Sequence, residues 1–260
     1  MTASPLVIKL GGALIESDSS LNALFDGLSL YRKQANRSLV LVHGGGCLVD
    51  DLLKGLGLKS QKKNGLRITP REHMHYIAGA LAGTANRLMT AKAVQYAMPA
   101  VGISLGDGGI CAVTQTDPEL GCVGSAAPGD PRLLKLLLDS GFMPVISSIG
   151  ITAGGELMNV NADQAATSIA VSLNADLALL SDVEGILDRE GRLIPEMNSA
   201  SAAQLIGDGV ITGGMEVKVR AALEASRTMG RAVSVAGWKE PEKLSSLISG
   251  QSIGTRVIAE

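Results

Sequence analysis

Six short runs of apolar residues, separated by longer stretches with helical patterning, constrain this 260-residue chain more than any other feature. The runs are rich in Val, Ile and Leu and do not alternate with polar residues, as is typical of strands buried on both faces of a parallel sheet. This order of strands and helices predicts a doubly wound α/β sheet with helices on both faces. The predicted strands are Leu6–Leu10, Leu39–Val42, Ala100–Leu105, Pro144–Ile149, Leu177–Leu180 and Ala232–Ala236. The predicted helices lie near 19–35, 47–56, 70–97, 130–140, 162–174, 201–208, 215–229 and 241–249.

Three other stretches, 110–125, 151–160 and 187–197, are predicted to form hairpins. The second turns at Ala153-Gly154-Gly155 and the third near Arg189-Glu190-Gly191. Glycine in such short connections indicates a tight turn.

Two glycine-bearing loops follow the first two predicted strands. Lys9-Leu10-Gly11-Gly12 ends the first strand, and His43-Gly44-Gly45-Gly46 ends the second and precedes a helix predicted from Cys47. Open α/β sheets bind ligands at the carboxyl ends of their strands, and bare N–H groups at a helix N-terminus suit phosphate. Two such adjacent loops, the first of which carries a lysine, favour a phosphate site over turns of purely structural purpose.

Common nucleotide and hydrolase signatures do not account for these loops. The chain has no Gly-Lys pair, which excludes a Walker A loop, and Gly-x-Gly-x-x-Gly is missing from the first strand-to-helix turn. Gly102-Ile103-Ser104-Leu105-Gly106 matches the nucleophile elbow of α/β-hydrolases. In that fold the histidine follows the serine, whereas His43, His73 and His75 all precede Ser104.

Composition argues against a nucleic-acid partner. The formal net charge is −2 and aromatic residues make up 2% of the chain, so it has neither a basic surplus nor many rings for stacking on bases. The three cysteines, Cys47, Cys111 and Cys122, are widely spaced and lack metal-ligand spacing. They are typical of thiols in a reducing cytoplasm, which is the location we expect.

Several charged residues have both a structural and a functional interpretation. Asn161 is a natural helix N-cap, with Asp163 in the first turn and Gln164 at the capping-box position. Asp163 can therefore compensate the helix dipole or orient lysines around a phosphate. Lys218, near the start of a helix, and Arg67, in a glycine-bearing loop, are each consistent with a solvated surface or with binding of an anion.

Seven segments of the chain together resemble the amino acid kinase family: VIKLGG, LVHGGG, NGLRIT, GALAGTAN, MNVNADQAA, LLSDVEGI and ITGGMEVK. They run in family order from residue 7 to residue 218. HGGG, NGLRIT and MNVNADQAA are most similar to the members that act on N-acetyl-L-glutamate. The resemblance implies a three-layer αβα sandwich around a mainly parallel, roughly eight-stranded sheet, the amino acid kinase fold. It also implies an N-terminal lobe, 1–175, for acceptor binding and dimerisation, and a C-terminal lobe, 176–260, for ATP, on one continuous sheet.

The resemblance also implies roles for individual residues. Lys9 and Lys218 would stabilise the transferring phosphoryl group, with Asp163 orienting both. The implied substrate contacts are Gly45, Gly46, Arg67, Asn159 and Asn161, and the phosphate contacts are Gly11, Gly12 and Gly45. The implied nucleotide contacts are Ser181, Asp182, Val183, Glu184, Gly185, Ile186, Leu187, Val210, Ile211 and Thr212.

The activity implied is ATP-dependent phosphorylation of the γ-carboxylate of N-acetyl-L-glutamate, with Mg²⁺ held mainly by the ATP phosphates rather than by protein ligands. We expect a homodimer that arginine does not inhibit. Arginine-sensitive relatives carry an additional N-terminal helix before the first strand, whereas the first strand predicted here starts at about residue 5 and leaves no room for that helix. Two alternatives stay open from the sequence. One is a sibling kinase with another acceptor, such as glutamate, carbamate, UMP or an aminoadipate derivative, and the other is a non-catalytic nucleotide or amino-acid sensor.

Overall fold

A computed structural model describes residues 4–15, 17–34, 37–63, 65–251 and 253–259. Its strands are β1 (Leu6–Leu10), β2 (Leu39–His43), β3 (Lys62–Lys63), β4 (Leu66–Arg67), β5 (Ala100–Ser104), β6 (Cys111–Gln115), β7 (Val123–Pro128), β8 (Met143–Ser147), β9 (Ile149–Ile151), β10 (Leu157–Val160), β11 (Asp176–Ser181), β12 (Glu196–Asn198), β13 (Val233–Gly237) and β14 (Thr255–Ile258). Its α-helices are α1 (Gly12–Ile15), α2 (Asp18–Gln34), α3 (Gly46–Gly55), α4 (Met74–Ala78), α5 (Asn86–Gln95), α6 (Arg132–Asp139), α7 (Ala162–Leu173), α8 (Ser199–Gly207), α9 (Gly213–Met229) and α10 (Pro241–Ile248).

The main sheet has eight strands in the order β12-β14-β13-β11-β1-β2-β8-β5. Within the described residues, β13 and β14 form its one antiparallel pair, and the other neighbours are parallel. β1 lies near the middle, with Lys9 opposite Leu179 of β11 on one side and Val42 of β2 on the other. The predicted parallel sheet is confirmed, and its carboxyl edge carries both glycine loops.

Both faces of the sheet are covered, which explains why its strands are apolar throughout. Val7 packs into a core cluster with residues of α7 and α9, whereas Ile8 and Leu10 pack into a second cluster with residues of α2 and α10. Burial on both faces removes the reason for polar alternation. The three-layer αβα sandwich is therefore confirmed.

Two smaller sheets lie beside the carboxyl edge of the main sheet. One has the order β6-β7-β10-β9, and the other is the β3–β4 hairpin. The hairpins predicted at 110–125 and 151–160 are confirmed as the antiparallel pairs β6–β7 and β9–β10. The helix predicted at 70–97 consists of α4, a π-helical segment at Gly79–Ala85, and α5, after a 3₁₀ turn at Arg71–His73.

One prediction about strands was wrong. The run Pro144–Ile149 is not one strand, because the chain leaves the main sheet after Ser147 and Ile149 begins β9. Ile149 is as buried as the residues before it, so the apolar pattern gives no sign of the change of sheet.

The hairpin predicted at 187–197 is present in a shorter form. Leu187 and Leu193 form an antiparallel bridge, and the N–H groups of Asp188 and Ile194 donate to the carbonyls of Arg192 and Ile186. Glu196–Asn198 lies outside this hairpin and pairs in parallel with β14.

Candidate active site

Lys9 and Asp163 are joined at the carboxyl edge of the main sheet. Lys9 is the second-last residue of β1, Asp163 lies in the first turn of α7, and Lys9 Nζ is 2.9 Å from Asp163 Oδ1. The side chains are 18% and 27% exposed, so the pair is largely but not fully withdrawn from water. The Asp163 side chain also lies at the positive end of the α7 dipole.

Lys218 reaches the same place from α9 but has different partners. Its Nζ donates to Ser181 Oγ at 3.1 Å and to Asp182 Oδ1 at 3.0 Å. The hydrogen bond from Lys218 holds the pKa of Asp182 below its usual value. In this structure Asp163 is thus paired with Lys9, whereas Asp182 and Ser181 hold Lys218. That Asp163 orients both lysines stays a prediction.

One cavity of about 150 Å³ contains both lysines, and we call it the lysine cavity. Its lining includes Lys9, Gly11, Gly12, Asp163, Ser181, Asp182 and Lys218. Two cations and the backbone of the first glycine loop thus face a single space. Such a space suits a phosphoryl group with negative charge on several oxygens.

A neighbouring cavity of about 200 Å³ contains every residue predicted to contact the substrate, and we call it the Arg67 cavity. It is lined by Gly44, Gly45, Gly46, Lys62, Arg67, Ser148, Asn159 and Asn161, among others. Four separate chain segments supply these residues: the β2–α3 loop, the β3–β4 hairpin, the end of β8 and the β10–α7 connection.

The second glycine loop presents the N-terminus of α3 to the Arg67 cavity. Gly45 is the N-cap, with φ of 148° and no side-chain cap, so the first N–H groups of the helix are not capped by a side chain. A β-carbon on Gly45 would lie 2.9 Å from Leu81 Cδ2, which together with this φ requires glycine. These N–H groups form a site suited to an anion.

The two cavities touch where the glycine loops meet. A β-carbon on Gly12 would lie 3.6 Å from the Gly46 nitrogen, an ordinary van der Waals distance, so the two loops lie side by side. Asn161 lines the Arg67 cavity, and Asp163, two residues later, lines the lysine cavity. A ligand in the Arg67 cavity can thus place one end against the lysine pair.

The start of α7 is fixed by side-chain hydrogen bonds. Asn161 Oδ1 accepts from the N–H groups of Asp163 at 2.8 Å and Gln164 at 3.2 Å, which confirms the predicted N-cap. The Gln164 side chain does not complete a capping box. It donates to Ser125 Oγ at 2.9 Å and accepts from the Ala126 N–H at 3.1 Å, which joins α7 to β7.

Asn159 is linked to the strand that carries Arg67. Its Nδ2 donates to Thr69 Oγ1 at 3.2 Å, and the Thr69 hydroxyl donates to the Arg67 carbonyl at 2.9 Å. Thr69 is fully buried, so this link is protected from water.

The predicted nucleotide segment is divided. Ser181 and Asp182 line the lysine cavity, whereas Asp182, Val183, Glu184 and Leu187 line a further cavity of about 430 Å³, which we call the Glu184 cavity. Ile186 is fully buried, with its N–H donating to Thr255 Oγ1, and Ile211 is 2% exposed. Gly185, Ile186, Val210, Ile211 and Thr212 line none of these three cavities.

Sequence reasoning missed Asp50, Lys62 and Ser148. Lys62 and Ser148 line the Arg67 cavity, and Asp50 is paired with Arg67. Lys62 lies in the same glycine-bearing stretch of sequence as Arg67, and this proximity is the one signal that could have identified Lys62.

Within the described residues, no group of three or more His, Cys, Asp or Glu side chains is arranged to hold a metal ion. No helix in the same part of the chain is long and apolar enough to cross a bilayer.

Comparison with known proteins decides the family. The sequence profile of the amino acid kinase family matches residues 4–237. The chain belongs to the amino acid kinase family. It is 60% identical over 257 residues to acetylglutamate kinase of Aeromonas salmonicida (strain A449), covering 99% of each chain. It is 58% identical over 256 residues to acetylglutamate kinase of Serratia proteamaculans (strain 568), covering 98% of this chain and all of the relative. Among solved structures, smu.665 from Streptococcus mutans UA159 is similar over 98% of both chains, with a TM-score of 0.80 and 26% identity.

Proposed function

We propose that the protein transfers the γ-phosphoryl group of ATP to the γ-carboxylate of N-acetyl-L-glutamate, giving ADP and N-acetyl-L-glutamyl 5-phosphate, a step of arginine biosynthesis. The observation that carries this proposal is the 60% identity, over 99% of both chains, to an acetylglutamate kinase. The position of the Arg67 cavity directly beside the lysine cavity supports it, because the acceptor has a carboxylate at each end.

The reaction needs charge neutralisation rather than a general base. A γ-carboxylate is already ionised at pH 7, so one of its oxygens can bond to the γ-phosphorus without losing a proton. The bond from that phosphorus to the β–γ bridging oxygen breaks, and its electron pair leaves with ADP. Catalysis then rests on in-line alignment and on stabilising the charge of the equatorial oxygens.

The residues of the two cavities supply these functions in our proposal. Lys9 and Lys218 neutralise the transferring group, and the N–H groups of Gly11, Gly12 and Gly45 donate to its oxygens. Arg67 binds the α-carboxylate of the acceptor, since the γ-carboxylate must face the lysines. Gly46, Asn159 and Asn161 complete the acceptor contacts.

Mg²⁺ would be held mainly by phosphate oxygens of ATP and by water, where it would neutralise β- and γ-phosphate charge. The nearby carboxylates fit this assignment, because Asp163 and Asp182 are each already paired with a lysine. The nucleotide itself would occupy the Glu184 cavity and contact the 181–187 and 210–212 segments.

We further propose that residues 1–175 form the acceptor lobe and residues 176–260 the nucleotide lobe of a cytoplasmic homodimer. The lining of the Arg67 cavity comes entirely from the first range, and that of the Glu184 cavity from the second. β5 ends the main sheet, so within the described residues it pairs only with β8, and Val94 and Leu136 are exposed on α5 and α6. An open strand edge with apolar neighbours supports pairing with a second copy.

An acceptor panel tests the activity. ADP release is measured with N-acetyl-L-glutamate, L-glutamate, an aminoadipate derivative, carbamate and UMP, and hydroxylamine trapping detects the acyl phosphate. We expect strong turnover and a trapped hydroxamate with N-acetyl-L-glutamate only. Turnover with another acceptor and none with N-acetyl-L-glutamate would overturn the proposal.

Lysine variants test the site within the same assay. Lys9→Ala and Lys218→Ala should each lower kcat roughly 10²-fold or more, as loss of one donor to a transition-state oxyanion does. Lys135→Ala, an exposed lysine of α6, is the matched control and should leave kcat unchanged. Near-normal kcat in either site variant would contradict the proposed roles.

A further inference from the structure

Arg67 is buried beside the cavity that we assign to the acceptor, yet other residues already hold part of its guanidinium. The residue is 8% exposed. Its Nη1 donates to Asp50 Oδ1 and to Ser60 Oγ, and its Nη2 donates to the Gly46 carbonyl at 2.8 Å. The guanidinium is therefore fixed before any ligand arrives.

The remaining donors of Arg67 have the arrangement that a carboxylate requires. A guanidinium has five N–H donors, one on Nε and two on each Nη. Asp50 and Ser60 take both hydrogens of Nη1, and Gly46 takes one of Nη2. Within the described residues this leaves the Nε–H and one Nη2 hydrogen without a hydrogen-bond partner, and Nε and Nη2 are adjacent donors on one side of the guanidinium, as a two-bond contact with a carboxylate needs.

Asp50 is well placed to set this orientation. It lies on α3, whose first residue, Gly46, also binds Arg67, so helix and guanidinium move together. Its hydrogen bond with Arg67 lowers the pKa of Asp50 to about 2, so the carboxylate stays ionised throughout the range of enzyme assays. Lys62 Nζ, 3.8 Å from Asp50 Oδ2, ties the other strand of the β3–β4 hairpin to the same carboxylate.

We propose that Asp50, assisted by Ser60, is a positioning residue for acceptor binding, which holds Arg67 with its free Nε and Nη2 donors toward the acceptor's α-carboxylate. This inference rests on the proposed function. Asp50 touches neither the acceptor nor the transferring phosphate. It acts by removing the freedom of a long side chain before binding, so its effect belongs to acceptor affinity and not to the transfer step.

Steady-state kinetics of Asp50→Asn, with each substrate varied in turn, tests the proposal. We expect the KM for N-acetyl-L-glutamate to rise about 10- to 100-fold, with kcat and the KM for ATP within about threefold of wild type. Asp50→Glu should recover most of the acceptor KM because it restores the charge. Asp51→Asn, an exposed aspartate of the same helix, is the matched control and should behave as wild type.

A double variant separates positioning from general stability. In an Arg67→Ala background, Asp50→Asn should raise the acceptor KM no further, because the group that it positions is gone. A further independent rise, or an Asp50→Asn acceptor KM within twofold of wild type, would overturn the role of Asp50 while leaving the proposed function intact. A wild-type protein without turnover of N-acetyl-L-glutamate would overturn both.

Removing the charge of Asp50 leaves a buried guanidinium unpaired, which can prevent folding. If circular dichroism shows that Asp50→Asn is unfolded, Ser60→Ala decides the question. A selective rise of the acceptor KM in Ser60→Ala, by about two- to fivefold, supports the proposal. A wild-type acceptor KM in Ser60→Ala overturns it.

Discussion

At the scale of single residues, the two lysines of the lysine cavity differ in how they are held. Lys9 is 18% exposed and paired with Asp163 on the rigid start of α7, whereas Lys218 is 39% exposed and paired with Asp182. Asp182 also lines the Glu184 cavity. The position of Lys218 is therefore coupled to the residues proposed to meet the nucleotide, while the position of Lys9 is set by the fold alone.

His43 provides a pH prediction. Its ring is fully buried, Nδ1 donates to the Gly44 carbonyl at 2.7 Å, and Nε2 accepts from Asn86 Nδ2 at 3.1 Å. Burial lowers the pKa of His43 from 6.5 to about 4. The unfolded chain thus binds the proton more readily, so this contribution to stability is complete above pH 6.5 and is lost as the pH falls toward 4. We expect the free energy of unfolding to drop by about 3 kcal/mol over this interval, measured by urea titration.

Substitution of histidines isolates the effect of His43. His43→Gln should remove this part of the pH dependence, although its stability at neutral pH will also be lower. His75→Gln, at an exposed position, should keep the full pH dependence. An unchanged slope between pH 6.5 and 4 in His43→Gln would show that His43 is not the group responsible.

At the scale of secondary-structure elements, the site is built from helix N-termini placed at one edge of the sheet. α3 begins at Gly46 without a side-chain cap and faces the Arg67 cavity, whereas α7 is capped by Asn161 and brings Asp163 to Lys9. The uncapped helix leaves N–H groups for a ligand, and the capped helix fixes a carboxylate.

Two asparagine N-caps, one inside the site and one outside it, allow an effect on stability to be distinguished from an effect on catalysis. Asn161→Ala and Asn198→Ala each remove a cap, of α7 and of α8, and each should cost about 1 kcal/mol in thermal or urea unfolding. Asn161→Ala should also lower kcat/KM by more than tenfold, because it removes a proposed acceptor contact and loosens the first turn that carries Asp163. Asn198→Ala should leave kcat/KM unchanged, and equal kinetic losses in both would argue for a general effect of stability.

Sequence reasoning located a strand, loop or helix start correctly wherever a single local signal is enough to determine it. Apolar runs identified the central strands, the Lys9 and His43 glycine loops identified the ligand edge, and Asn161 identified the start of α7. The two-residue strands β3 and β4 escaped notice because they are polar and short. The Asp50–Arg67 pair also escaped, because a contact between α3 and the β3–β4 hairpin depends on tertiary placement that no local pattern encodes.

At the scale of the whole molecule, β5 leaves one edge of the main sheet open within the described residues. Our proposal of a homodimer predicts a mass near twice 26.7 kDa by light scattering after size exclusion. Val94→Glu on α5 should shift the mass toward the monomer, because it places a charge among the exposed apolar groups. Leu56→Glu, at the C-cap of α3, is the control and should leave the mass unchanged, and a monomeric wild type would contradict the proposal.

The order of strands in the sheet was beyond sequence reasoning from local patterns. β1 lies between β11 and β2, so Leu6 and Asp176, which are far apart in the chain, are neighbours in the sheet. The fold class followed from alternating strands and helices, and the number of strands came from the family resemblance. The separation of Asp163 from Lys218 became apparent only from the assembled structure.

Within the described residues, β3 and β4 pair only with each other, and neither joins one of the two larger sheets. Arg67 stands on this hairpin, whereas Lys9 stands on the central strand of the main sheet. In our proposal the spacing between these two residues sets the length of acceptor that the site takes. Because Asp50 of α3 and Asn159 of β10 are both tied to the hairpin segment, a site for a longer acceptor would have to move these contacts together with Arg67.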